Sequence, residues 1–585
     1  MKIINCFDII ILSSIARKGG KPKLSTIKFL ALGGLGENGK NMYVVEVDER
    51  IFVLDAGLKY PSVELYGIDA VIPDITYLIE NKDRVQGIFI SHGHEDHIGA
   101  LPQLLKVLDV GVFGTHFTIS LIEDLLTEEG LNVSDYRLYR INEDKVLKFG
   151  NITVEFYNTT HSLPESIGVA IKTSDGAVVY VPDFTFSINN DRKYRTSFNK
   201  LAEIAKGGTL ALLSESLGVN NTNRVHNDIP LFHKITEVLL SSGRVIFSLF
   251  STDLDRIQKV INISASLNRR IAIVGRKAQR VINIAMNSDY LKIPQDRLVN
   301  LKFIDDENKN DFDDLVVIVT GVRHEPFYML QRMCQGQDRL IEITDKDNII
   351  IMTPAVPGTE RMAARTIDIL TRHNAKVTIV KKDILVSSHA DSEDLKMLYS
   401  ILNPKYIIPV VGEYRHQFMQ KKIAMNFGYS EDNVILLDNG EMIIFKDGVL
   451  QPTRTKVQSG DVLVDGSLIG DINEVVLKDR EMLAAEGVVM LVVNIDARIK
   501  KVVAGPKLVT RGFAYGEYEQ ELTESIYQVS DEIIDNHLSR KYIDWNELKN
   551  ELRDAINKEI YRITKKTPII IPTVIDTQTT NVNRR

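Results

Sequence analysis

From Thr26 to Ala56 the chain runs through three short apolar stretches, IKFLAL, MYVVEV and IFVLDAG, separated by polar turns. That spacing predicts three strands meeting in hairpins. The first turn, GGLGENGKN, holds Gly34-Leu35-Gly36-Glu37-Asn38-Gly39, formally a G-x-G-x-x-G. A dinucleotide site requires a helix directly after such a turn, whereas here a strand follows, so the glycines read as a structural turn. A further strand is predicted at Val85–Ser91 (VQGIFIS), followed by a His-rich turn and a helix over IGALPQLLKVL. Short strands follow at NITVEFYN, AVVYVPD and TLALLSES.

The texture changes at about Asn221. From there to His373, apolar strands such as RVIFSLF, IAIVG and LVVIVTG alternate with helical stretches, as in a parallel α/β unit. KVTIV, DILVSSHA, the helical DSEDLKMLYSIL, YIIPVVGEYRH and NVILLDNGEMIIF then resume the earlier style. The pattern predicts an N-terminal arm over 1–25, one domain built from 26–220 and 376–450, and an inserted domain over 221–375. A linker at 451–465, a C-terminal α/β domain over 466–576 and a tail at 577–585 complete it. Within the C-terminal domain, VVMLVVNID and KVVAGPKLVT read as strands, and two charged helices lie around Glu519–His537 and Trp545–Thr564.

With 585 residues, 44% hydrophobic and 25% charged, the composition is that of a globular chain of several domains, which excludes global disorder, collagen and a long coiled coil. The apolar stretch Ile9–Leu12 is far shorter than the roughly 20 residues of a membrane span. Asp8 before it and Arg17 and Lys18 after it reverse the charge order of a secretion signal, so a cytoplasmic protein without membrane contact is expected. A net charge of −7 argues against polyanion binding by net charge alone. Two cysteines, Cys6 and Cys334, are too few for a disulfide framework or a thiolate metal site.

The densest chemistry is His92-Gly93-His94-Glu95-Asp96-His97, directly after an apolar strand. Neutral imidazole and carboxylate are the donors Zn²⁺ takes when thiolates are absent, and a turn at a strand end holds them on a rigid edge. One short loop cannot supply two coordination shells, so further ligands must come from later strands.

These residues, with GGLGENGKNMYVVE, SHGHEDHIGALP, TTHSLPES, PDFTF, LLSES, GRVIFSLFST, PAVPGTE, VSSHADSEDLK, IIPVVGEYRH and AGPKLVTRGF, resemble the metallo-β-lactamase-fold nucleases that carry a β-CASP insertion. The resemblance is to the ribonuclease J family, in particular the less active second paralogue of its pairs, and runs from about Ile27 to Ile575. It implies an α/β fold: a metallo-β-lactamase αββα sandwich, an inserted β-CASP α/β domain and a small C-terminal α/β domain for oligomerisation. It also implies two Zn²⁺ ions, with Mn²⁺ or Mg²⁺ as alternatives. His92, His94 and His161 would hold one ion, Asp96 and His97 the second, and Asp183 would bridge both; Asp96 and Asp183 would be catalytic. Two such ions share a hydroxide and stabilise the attacking and leaving oxygens of a phosphodiester.

The sequence departs from that pattern in places. The family's HGEYRH is here Val411-Gly412-Glu413-Tyr414-Arg415-His416, and valine cannot ligate, which leaves the second site degenerate. A valine at this place is also found in the DNA-processing branches of the superfamily. Glu215 replaces an Asp, Pro182 a Gly, and Asp253 and Asp255 stand where an amide and an imidazole are expected; carboxylates there would repel a phosphate. Leu385 and Ser388 replace a His and a Gly, while Ser387 and His389 are kept. Ser387, Ser388 and His389 would cradle a phosphate, or the serines would cap the following helix. Arg276 and Arg323 would touch phosphate or base, or form surface ion pairs.

Two functions follow. In the first, the chain is a zinc-dependent ribonuclease of RNA maturation and decay that trims single-stranded RNA 5′→3′ from a monophosphorylated end and also cuts internally. In the second, it is a weakly active or inactive paralogue that assembles with an active ribonuclease J. Hydrolysis of a small thioester or β-lactam would leave the inserted and C-terminal domains without a role. The C-terminal domain is expected to carry contacts of a homo- or hetero-oligomer.

Overall fold

The computed structural model describes residues 25–62, 65–187, 192–221, 227–275, 278–301, 313–356, 358–381, 384–466, 468–470, 472–513 and 516–577. Arg276, nearly all of the expected N-terminal arm and all but Thr577 of the tail lie outside these residues. The chain divides into two compact units, one of residues 1–60 and 71–462, the other of residues 61–70 and 463–585.

In the larger unit two sheets face each other. One runs, in spatial order, Val449–Leu450, Glu441–Lys446, Thr26–Gly33, Met42–Val47, Arg50–Leu54, Val85–Phe89, Val112–Gly114 and Leu138–Arg140. The other runs Tyr406–Val410, Thr209–Glu215, Gly176–Val181, Ile167–Thr173, Ile152–Asn158 and Val146–Phe149. Alternate residues of both sheets meet in one core, where Phe29, Tyr43, Phe52 and Phe89 of the first pack with Phe156, Val169, Tyr180 and Leu213 of the second. Each such burial contributes roughly 1.5–3 kcal/mol. A second core lies beyond the second sheet, under the helices Phe198–Lys206 and Ser392–Leu402.

Between Thr209–Glu215 and Tyr406–Val410, which pair in parallel, the chain builds a separate five-stranded parallel sheet. Its order is Arg270–Val274, Leu315–Gly321, Val245–Phe250, Asn348–Ile351 and Lys376–Ile379. The central strands are continuous apolar runs because helices cover both faces of such a sheet. The excursion is an insertion: each flanking sheet is completed by strands that come after it in the sequence.

In the smaller unit Val488–Asp496 pairs antiparallel with Lys501–Arg511 and parallel with Ile569–Asp576. The inward residues Val489, Leu491, Val493 and Ile495 pack on Leu522, Ile526, Leu548 and Leu552 of the helices Glu519–Ser539 and Trp545–Thr564. No helix among the described residues is long and apolar enough to cross a membrane.

Two local expectations are replaced. The stretch after the His-rich turn is two short helices, Glu95–Ile98 and Leu101–Leu105, because Gly99 and Ala100 fall between them and Pro102 starts the second anew. The region 451–465 carries strand residues Thr455–Lys456, paired with Glu441 and Met442, and Asp461, which forms an ion pair with Lys40.

Candidate metal centre

Val85–Phe89 ends at the sheet edge, and Ser91-His92-Gly93-His94 leads from it into the helix Glu95–Ile98. Beneath this loop the chain turns at Asp55-Ala56-Gly57, and Gly57 is required: a Cβ there would lie 1.6 Å from the Asp96 carbonyl oxygen. His161 arrives from the segment after Ile152–Asn158, and Asp183 from the end of Gly176–Val181.

His92 Nε2 and His161 Nε2 lie 2.9 and 3.2 Å from His94 Nδ1, and each is 3.6 Å from Asp183 Oδ2. The outer nitrogens of two rings are fixed elsewhere. His92 Nδ1 is 3.0 Å from Ser91 Oγ, and His161 Nδ1 donates to the Ser388 carbonyl at 3.0 Å. Three imidazole nitrogens therefore turn toward one point, with a carboxylate beside them. Burial, reinforced by neighbouring histidines, pushes His92 and His161 well below the usual imidazole range, and burial takes His94 down to about 4. Neutral rings with lone pairs pointing at each other repel unless a cation sits among them. Asp183 Oδ1, moreover, is buried without a hydrogen-bond partner. The donor set fits a divalent ion of the nitrogen- and oxygen-preferring kind.

Asp96 and His97 stand beside this cluster. His97 Nε2 lies 3.5 Å from Asp96 Oδ2 and 3.7 Å from Asp183 Oδ2, while Asn41 Nδ2 is 3.3 Å from Asp96 Oδ2 and 3.2 Å from His97 Nε2. Burial alone would lower His97, but the charges of Asp96 and Asp55 and the hydrogen bond to Asp55 outweigh it and raise the ring to about 10. Burial, with Glu215 nearby, raises Asp183 to about 7 against the lowering effect of His389.

His389 reaches the other side. Its Nδ1 is 2.9 Å from Glu215 Oε2 and 3.8 Å from Asp183 Oδ1, and these two acids overcome burial to raise it to about 9. Glu215 Oε1 also accepts from the Phe184 and Ala390 backbone N–H groups at 2.7 and 3.0 Å. It thereby ties the Asp183 turn to the His389 loop.

The remaining candidates separate. Ser387 Oγ accepts from His389 N–H at 3.1 Å and donates to the His389 carbonyl at 3.0 Å, a local turn, while Ser388 uses its carbonyl toward His161. Neither serine caps the next helix, since Asp391 does so with a capping box completed by Asp394. Arg323 stacks on Tyr60, 4.0 Å from the ring centroid, and the Tyr60 hydroxyl donates to Glu95. Asp253 and Asp255 are not bare carboxylates: Arg256 pairs with the first and Lys259 with the second. Asn41, Asp55 and Tyr43 were not singled out from the sequence. The one available signal was the Asp that ends the apolar run IFVLD, since an acid there must find partners once buried.

The chain matches "Ribonuclease J, beta-CASP domain" over residues 242–370 and "Ribonuclease J C-terminal domain" over 475–577. It matches "Metallo-beta-lactamase superfamily" over 35–242 and "Zn-dependent metallo-hydrolase RNA specificity domain" over 375–436. It is 38% identical over 563 residues to Ribonuclease J 2 of Staphylococcus aureus (strain NCTC 8325 / PS 47), covering 95% of this chain and 99% of that protein. The chain belongs to the ribonuclease J family. The corresponding Staphylococcus epidermidis protein (strain ATCC 35984), also Ribonuclease J 2, is 37% identical over the same shares of both chains. A crystal structure of a protein of unknown function from Enterococcus faecalis V583 shares the fold at TM-score 0.51 and 16% identity, over 72% of this chain and all of that one. The two facing sheets are thus the metallo-β-lactamase domain of a ribonuclease J metallo-hydrolase, and the five-stranded insertion is its β-CASP domain.

Proposed function

We propose that this ribonuclease J family member is a divalent-metal-dependent ribonuclease of the cytoplasm, zinc being the expected ion, that hydrolyses single-stranded RNA both exonucleolytically 5′→3′ and internally. The convergence of His92, His94, His161 and Asp183 carries this reading. These four would hold one ion, and Asp96 and His97 with Asp183 a second, weaker one. Ions bound there would lower the pKa of water and neutralise charge developing on a phosphodiester. Asp55 holds His97 in one orientation, and Asn41 does the same for Asp96. His389, oriented through Nδ1 by Glu215, is placed to donate from its other nitrogen to a substrate phosphate or leaving oxygen when protonated. The retention of turnover on single-stranded RNA by metal-loaded protein, and its loss in His161→Ala, tests the reading.

Val411 favours a second reading. Its side chain is buried in the core with Leu35 and Tyr43, at the position where a ligand histidine is expected. A site short of one donor suits a slow subunit that assembles, through residues 466–576, with itself or with a more active ribonuclease J. If purified, metal-loaded protein shows no turnover and Val411→His does not raise it, the subunit reading replaces the enzyme reading.

A further inference from the structure

The glycine-rich turn before Met42–Val47 carries two charged residues, Glu37 and Lys40, that the metal centre does not use. The Lys40 side chain is 2% exposed, and its ammonium is held by the Gly460 carbonyl at 3.3 Å, by Glu37 Oε1 at 3.2 Å and by the Asp461 carboxylate. Lys59 closes the ring. Its Nζ lies 2.6 Å from Glu37 Oε2 and 3.0 Å from Asp461 Oδ2. Glu37 is fixed further by the Gly34 N–H at 3.2 Å and by Asn439 Nδ2 at 2.8 Å. Two lysines thus face two acids, and the four charges cancel.

Two short paths join this ring to the residues of the second ion. Lys40 precedes Asn41, whose N–H donates to the Asp96 carbonyl at 3.1 Å and whose Nδ2 reaches both Asp96 and His97. Lys59 follows Leu58, whose N–H donates to the Glu95 carbonyl at 3.1 Å and whose carbonyl accepts from the Lys40 N–H at 2.8 Å. A buried ammonium this near a cation site opposes the cation unless its own charge is neutralised. Half of the neutralisation comes from far along the chain, since Asp461 lies 421 positions after Lys40.

Resting on the two-ion arrangement of the ribonuclease reading, we propose that Glu37, Lys40, Lys59 and Asp461 tune the second metal site electrostatically. The charge balance of this ring, and not the ligands alone, sets how tightly Asp96, His97 and Asp183 hold their ion. The effect is signed: loss of an acid weakens the second ion, loss of a lysine tightens it, and loss of one of each leaves it where it was.

The experiment is a titration of the full-length apoprotein with Mn²⁺, followed by the electron paramagnetic resonance of the free ion, so that no turnover is needed. Asp461→Asn should weaken the second ion by about fivefold and Lys59→Met should tighten it by about fivefold, with the first ion unmoved. The double variant should return to within about twofold of the wild type. A ring that serves only to brace the fold predicts otherwise, because each loss would then weaken binding and the double loss would weaken it most. Unchanged affinities, shifts of the same sign in the two single variants, or a double variant no closer to the wild type than the single ones overturn the proposal. Lys59 is 24% exposed, so Lys59→Met decides the matter alone where Asp461→Asn does not fold, and a second ion no tighter than in the wild type then overturns it. If neither the wild type nor Lys59→Met takes up any Mn²⁺, the metal-dependent reading itself falls, and the inference with it.

Discussion

His97 Nδ1 lies 2.7 Å from Asp55 Oδ2, with both side chains sealed from solvent. The same carboxylate accepts from the Ser91 N–H at 2.7 Å, the Ser91 hydroxyl at 2.8 Å and the Tyr180 hydroxyl at 2.6 Å. Four donors on one carboxylate fix the His97 ring and leave Nε2 directed at Asp96 and Asp183. Asp55→Asn turns an NH₂ toward some of these donors, and each orphaned group costs about 1–3 kcal/mol. The expected outcome is a destabilised apoprotein in urea melts and metal retention about ten- to a hundredfold weaker, as for other changes in the residues that orient a ligand. Metal titration with wild-type affinity would rule out the orienting role.

In the β-CASP sheet Arg244 and Asp347 form a two-pronged pair, Nε to Oδ1 at 2.8 Å and Nη2 to Oδ2 at 2.7 Å, both almost fully buried. Removing one partner leaves an uncompensated buried charge. Asp347→Ala should therefore cost about 3–5 kcal/mol in urea unfolding, whereas replacing both residues with Met and Leu should cost far less. A comparable loss in the double variant would mean that the shape of the pair, not its charge, is what the fold depends on.

Much of this could be read from the chain because strands and ligands coincide with short, strongly patterned strings. The loop His92–His97 follows an apolar strand, and the insertion announces itself by a change from short strand runs to alternating strand and helix. What escaped notice depends on contacts between distant residues. Asn41 lies 55 positions before Asp96, and Tyr43 lies 368 before Val411, whose N–H donates to its hydroxyl. Helix capping was one of two roles open to Ser387 and Ser388, since Ser is a good N-cap residue, yet Asp391, three residues beyond Ser388, takes that place. The expected repulsion from Asp253 and Asp255 considered each acid alone, without the cations at i+3 and i+4 on the same helix, Arg256 and Lys259.

The pair His389–Glu215 makes the metal-free protein sensitive to alkali. With the ring raised to about 9 from an ordinary 6.5, the stabilisation it provides is fully present below pH 6.5 and is lost as the pH rises through about 9. The amount is on the order of 1–3 kcal/mol. Glu215→Gln removes the first acid that raises it, so the variant should start less stable at pH 6 and lose less between pH 6 and 9.5. Chemical denaturation of both proteins in EDTA across that range measures the difference, and parallel curves would show that the pair contributes nothing.

Val411 has φ +49°, a left-handed conformation that costs a β-branched residue about 1–3 kcal/mol and that histidine tolerates better. The backbone is pinned there from both sides. The Val411 N–H donates to the Tyr43 hydroxyl at 3.0 Å, and its carbonyl accepts from Ser216 N–H at 3.1 Å and Ser216 Oγ at 2.9 Å. The Tyr43 hydroxyl in turn donates to Asn41 Oδ1 at 3.0 Å, and Asn41 reaches Asp96 and His97. The main chain is therefore tied to the residues around the second site, and the side chain is what a histidine at 411 would change. Val411→His relieves the conformational strain but places a polar ring in an apolar core, so the apoprotein should be less stable by about 1–2 kcal/mol. Metal should reverse the order. The variant should bind about two ions per chain where the wild type binds about one, gain more in melting temperature on metal addition, and hydrolyse RNA about tenfold faster. An unchanged ion count by elemental analysis would mean that the valine side chain is not what limits the second site, and that the shortfall lies with Asp96, His97 and the Asn41 amide between them.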